Sequence, residues 1–174
     1  MIGETKKGGS AIRDWYWSAG AFLAISAFGA GARQAIGTIY NSGEAVVLLE
    51  SLARSGLYLG SASATASATT LALMLTLIGM IRRTEYDFED EVYRNIERIA
   101  GLSTTSLFIS LCLLLTLVLP VGEFEGLPKG WYPTLYNVLF AITVAVIALL
   151  AATVMMLYRT VRRVIARITP GDQL

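Results

Sequence analysis

Residues 57–81 read LYLGSASATASATTLALMLTLIGMI. No Asp, Glu, Lys or Arg interrupts them, and Arg82 and Arg83 follow at once. A helix needs about 20 apolar residues to cross the hydrocarbon of a bilayer. Inside that hydrocarbon every backbone N–H and C=O must be satisfied internally, which a helix does alone. The stretch therefore reads as a membrane-spanning helix. Its first half is unusual, because Gly60 to Thr70 is built almost wholly from small and hydroxyl-bearing residues.

Working outward, three more runs have the length and polarity of spans. Residues 15–32 lie between Asp14 and Arg33 without a charge. Arg33 can reach the interface by snorkelling, so this run can extend toward Tyr40. Residues 100–119 are stopped by Pro120, which cannot continue a helix. Residues 133–158 begin at Pro133, whose missing N–H costs nothing in a first turn. Aromatic residues sit at the boundaries: Trp15, Tyr16 and Trp17; Tyr58; Trp131, Tyr132 and Tyr136; Tyr158. That is the interfacial belt of membrane helices. Lys6, Lys7 and Arg13 ahead of the first run, and Ala30-Gly31-Ala32 within it, mimic a signal peptide. The run is long for a signal core, so it is expected to be retained as a span.

Lys and Arg orient the chain, since cytoplasmic loops carry the excess. With both termini inside, eleven basic residues are cytoplasmic: Lys6, Lys7, Arg13, Arg82, Arg83, Arg94, Arg98, Arg159, Arg162, Arg163 and Arg167. Only Arg33, Arg54 and Lys129 are then outside, which completes the fourteen. The expected location is the plasma membrane, the inner membrane in a bacterial host, with N- and C-termini cytoplasmic.

Composition removes several chemistries. Hydrophobic residues make up 55% of the 174 positions and charged ones 16%, below the roughly 25% of soluble proteins. The net charge of +1 gives no basic field for nucleic acid. The chain has no His, and its one Cys, Cys112, lies in an apolar run. Zinc, haem and iron–sulfur sites need His or clustered Cys, and His-paired nucleophiles need His. No cofactor, no metal and no catalytic residue is expected. No acidic or basic residue lies deep in any span, which argues against a proton-coupled transporter. A passive channel remains, because it can select without buried charge.

Two helices should outlast the membrane. Phe88, Val92, Ile96 and Ile99 form one apolar stripe, so residues 85–99 read as a cytoplasmic helix running on into the third span. The fourth span continues through Val161, Val164, Ile165 and Ile168 before Pro170. The acidic run Glu85, Asp87, Glu89, Asp90 and Glu91 lacks the spacing of a calcium loop. It reads as acid enrichment at a helix start. Arg159, Arg162, Arg163 and Arg167 carry the topology signal, and can meet anionic headgroups or these acids.

On the outer side, residues 42–54 read as a short amphipathic helix, capped by Asn41 with Glu44 three residues on. The following Gly56-Leu57-Tyr58-Leu59-Gly60 echoes the lettering of a potassium filter. A filter needs extended backbone, whereas Gly60 leads directly into a helix, so that reading is rejected. In the second span Ser61, Thr65, Thr69 and Thr76 share one face, and Ser63, Ser67 and Thr70 share roughly the opposite one. Small residues let helices approach closely, so two small faces imply two close neighbours, one within the chain and one in a second copy. The first face is the candidate pore or helix-packing stripe. Glu123 and Glu125, in the outer loop, are a candidate acidic ring in an oligomer.

The expected fold is an all-α, antiparallel four-helix transmembrane bundle with cytoplasmic helical extensions, in contact with membrane lipid and assembled as a homo-oligomer. The expected function is a pore or ion-channel subunit without catalytic activity. The rival is a non-conducting scaffold or adaptor that binds a protein partner through its cytoplasmic helices. A lipid-acting enzyme using loop carboxylates is a third class, and no catalytic constellation supports it.

Overall fold

The computed structural model describes residues 9–37, 42–81, 90–119 and 131–168. Their regular elements are four α-helices: α1 (Gly9–Ile36), α2 (Ser42–Ile81), α3 (Asp90–Val118) and α4 (Trp131–Ile168). Three stretches, Val47–Met80, Tyr93–Val118 and Trp131–Arg162, are long and apolar enough to cross a membrane. α1 is not among them. Its 28 residues have the length, about 42 Å at 1.5 Å per residue. Its aromatic triplet and its many small residues lower its hydropathy below that of the other three.

The helix ends follow from the sequence. α1 stops where Gly37 takes a left-handed conformation (φ 80°) and donates its N–H to the Gln34 carbonyl at 3.1 Å. Glycine adopts that conformation without a Cβ penalty. α3 ends at Val118, two residues before Pro120. α4 carries Pro133 in its first turn and runs without a break to Ile168, as its apolar spacing indicates.

Residues 42–54 do not form a separate outer helix. α2 is a single helix of 40 residues, about 60 Å long, that carries them directly into the apolar run expected as the second span. Gly56 and Gly60 lie inside it, and both are buried. A Cβ at Gly56 would meet Leu117 Cδ1 at 2.7 Å, and one at Gly60 would meet Leu114 Cδ2 at 3.0 Å. The glycines thus let α3 approach, and close contact over this stretch outweighs a helix penalty of about 1 kcal/mol per glycine.

α2, α3 and α4 pack against one another, whereas α1 lies along α4 and scarcely meets α2 or α3. The four helices are therefore arranged as a three-helix core with α1 on the flank of α4. Two apolar clusters close the core. At one end Leu49, Leu113, Leu117, Tyr136, Leu139 and Val146 are buried together. At the other, Met74, Ile96, Ile99 and Met156 are buried together. The cytoplasmic helix expected over residues 85–99 is described from Asp90 onward, continuous with the apolar run expected as the third span. Of its stripe, Ile96 and Ile99 are in the core. Phe88, Glu85, Asp87 and Glu89 lie outside the described residues.

Candidate functional site

Between the two apolar clusters the core turns polar. α3 buries Ile96, Ile99, Ser103, Ser106, Ser110, Leu113 and Leu117. These positions alternate by three and four residues, the spacing that keeps one seam against a partner helix. α2 answers with Gly56, Gly60, Ser63, Ser67 and Met74, all buried on its inner face. Ser110 Oγ donates to Ser63 Oγ at 3.0 Å. With Gly56 against Leu117, this bond fixes an antiparallel register that sets Ser67 level with Ser106. The middle of the α2–α3 contact is thus a band of five serines.

These serines differ from the threonines around them. Thr65, Thr69, Thr70 and Thr76 each donate to the backbone carbonyl four residues earlier, at 2.8–3.0 Å. So do Thr143, Thr153 and Thr160 on the inner face of α4. By contrast, the buried oxygens of Ser67, Ser103 and Ser106, and Oδ1 of Asn95, make no hydrogen bond among the described residues. Burying such a group unpaired costs about 1–3 kcal/mol. A Ser hydroxyl has the route out that the threonines use, rotation onto a carbonyl of its own helix, but the structure shows none of these three serines taking it.

The stripe Ser61, Thr65, Thr69 and Thr76 lies on the opposite side of α2, and all four residues are exposed. None of the other three described helices covers it. Its surroundings separate it from the rest of the surface. α3 exposes Phe108, Leu111, Leu115 and Val118, and α1 exposes Leu23 and Phe28. On α2 the exposed large apolar residues stop at Tyr58 and resume at Leu73. From Ser61 to Thr76 the stripe rises about 22 Å. Each threonine hydroxyl hydrogen is committed to a carbonyl, so the stripe presents oxygen lone pairs outward.

Two arginine–aromatic contacts mark the ends of the α1–α4 pair. Arg33 lies 6.0 Å from the centre of the Tyr136 ring, and Arg159 lies 5.4 Å from that of Trp17. Between them Ser18 Oγ donates to the Ala152 carbonyl at 3.0 Å. The two helices therefore run antiparallel through the same depth. From Tyr136 to Tyr158 along α4 is about 33 Å, close to the roughly 30 Å of a bilayer core.

Glu123 and Glu125 lie outside the described residues. The structure places Ser61, Thr65, Thr69 and Thr76 on one outward face, as their spacing requires. The inward serines of α3 and the donors around Arg33 do not emerge from the sequence reading. The alternation of three and four from Ile96 to Leu117 is the available signal for the former. Among the described residues, no cluster of His, Cys, Asp and Glu is arranged to hold a metal. No family model, curated protein or solved structure matches this chain.

Proposed function

We propose that this chain is a non-catalytic integral membrane protein that crosses the bilayer four times, with both termini cytoplasmic. Several copies assemble, and a water-filled pore for small cations forms between them. One observation carries this reading. The middle of α2, a helix apolar enough to span, turns a surface of small and hydroxyl-bearing residues away from its own core. Lipid tails offer nothing to hydroxyl oxygens, whereas small residues suit contact with another helix. A path through the single chain is disfavoured, because Ser63 and Ser110 meet at 3.0 Å where α2 and α3 face each other. Ser61, Thr65, Thr69 and Thr76 then line the space between copies, with acceptor oxygens turned toward a hydrated cation. In this reading Glu123 and Glu125 form the acidic ring at the outer mouth. α1 counts as the fourth span because it lies along α4 between two interfacial arginines, despite its lower hydropathy.

Ion flux through the purified protein in liposomes tests the proposal, with Thr65→Leu and Thr69→Leu as matched variants. Flux in the wild type, lost in both variants while assembly persists, is the expected result. Absence of wild-type flux at either polarity, with and without Ca²⁺, sinks the pore. The scaffold reading then takes its place, with a protein partner at the cytoplasmic helices.

A further inference from the structure

A different polar feature lies between the end of α1 and the start of α4, where a groove of about 720 Å³ opens. Arg33, Gln34 and Asn137 line one end, and small or apolar residues such as Gly29, Ala141 and Val144 line the rest. The lining on α1 runs from Gly37 to Ser26. That is about 16 Å of helix, roughly half of a 30 Å hydrocarbon core and therefore the depth of one leaflet.

The polar end is pre-organised. Arg33 Nε donates to Asn137 Oδ1 at 2.8 Å, and Arg33 Nη1 donates to the Gly37 carbonyl at 2.7 Å. These bonds hold the guanidinium in place and use two of its five N–H donors. Among the described residues, no Asp or Glu lines the groove. The end is cationic, rich in donors and level with Tyr136, while the wall beyond it is apolar.

We propose that this groove seats an acyl chain of an anionic phospholipid whose phosphate is held by Arg33. A phosphate oxygen accepts from the guanidinium's remaining donors in a charge-assisted bond. The acyl chain covers the small-residue wall, which inorganic phosphate leaves bare. The inference rests on the chain lying in a bilayer, as proposed above, but not on its conducting.

Native mass spectrometry of the detergent-purified protein, offered equal phosphatidylglycerol and phosphatidylcholine, tests it. The wild type should retain phosphatidylglycerol about fivefold over phosphatidylcholine: both carry the phosphate, but the choline cation of the latter offsets its attraction to the guanidinium by roughly one close charge pair in water. Arg33→Gln should abolish that preference, and Arg54→Gln, an exposed cation on α2, should keep it. Ala141→Leu keeps the charge and fills the groove, so it should lower retention of both lipids. It also decides the case if Arg33→Gln fails to fold. Equal retention of the two lipids by the wild type, an unchanged preference in Arg33→Gln, or full retention in Ala141→Leu each overturns the proposal. So does displacement of the lipid by excess inorganic phosphate, which marks a headgroup-only site. Liposome flux is read separately, so failure here leaves the pore reading standing, and the reverse holds.

Discussion

Gly29→Ala should loosen α1 from α4. A Cβ built on Gly29 lies 2.5 Å from Val144 Cγ1, 2.7 Å from Cγ2 and 3.2 Å from Cβ. Carbon–carbon contacts settle at about 3.5–4.0 Å, so the helices must part by about 1 Å. Val144 cannot turn aside, because a β-branched side chain in a helix holds one χ1 rotamer. Overpacking of this kind costs about 1–3 kcal/mol. The helix-propensity gain of Ala over Gly returns at most about 1 kcal/mol. The net expectation is a loss of up to about 2 kcal/mol, together with a weakened Arg33–Asn137 bond one turn away. Gly31→Ala is the matched control: nothing lies within 4 Å of its would-be Cβ, so the propensity gain stands unopposed. Unfolding of the detergent-solubilised protein by added sodium dodecyl sulfate, followed by circular dichroism, reads both variants. Adding Val144→Ala to Gly29→Ala should recover most of the loss. If Gly29→Ala proves as stable as Gly31→Ala, α1 does not pack on α4 through this glycine.

Two further outcomes follow from the core and the surface. In a double-mutant cycle, Ser63→Ala and Ser110→Ala should couple by about 0.6 kcal/mol, the mean for hydrogen bonds between membrane helices; Ser67→Ala and Ser106→Ala, which remove no bond seen in the structure, should be close to neutral. Independent additivity of the Ser63 and Ser110 changes would contradict the antiparallel register of α2 against α3. Cys112 is exposed on the outward side of α3 among Leu111 and Leu115. A membrane-impermeant maleimide should leave it unmodified in liposomes and react fully after denaturation. Rapid reaction in intact liposomes would place water, not lipid, against that face.

The all-helical class, the three runs apolar enough to span and the end of α3 were legible because each rests on local chemistry. Charge-free runs of about 20 residues and Pro120 each act on their own segment, whereas the stop at Gly37 came from the structure, the first run having been free to extend toward Tyr40. The spacing of hydroxyls in the second apolar run also put Ser61, Thr65, Thr69 and Thr76 on one face and Ser63, Ser67 and Thr70 on another, of which the structure buries Ser63 and Ser67 but not Thr70. Which face turns inward was not legible. Both are small and weakly polar, so hydropathy does not distinguish them, and the choice falls to the helix that docks there. α3 decides it, with Ser110 reaching Ser63 and Leu117 filling the notch at Gly56. The same contact makes residues 42–54 part of α2 instead of a separate piece, since long-range docking outweighs what two glycines cost locally. The placement of α1 beside α4 alone, and the meeting of Arg33 with Asn137 across 104 positions, likewise needed the tertiary structure. Periodicity reports which residues share a side of one helix, and carries no information about which other helix that side will meet.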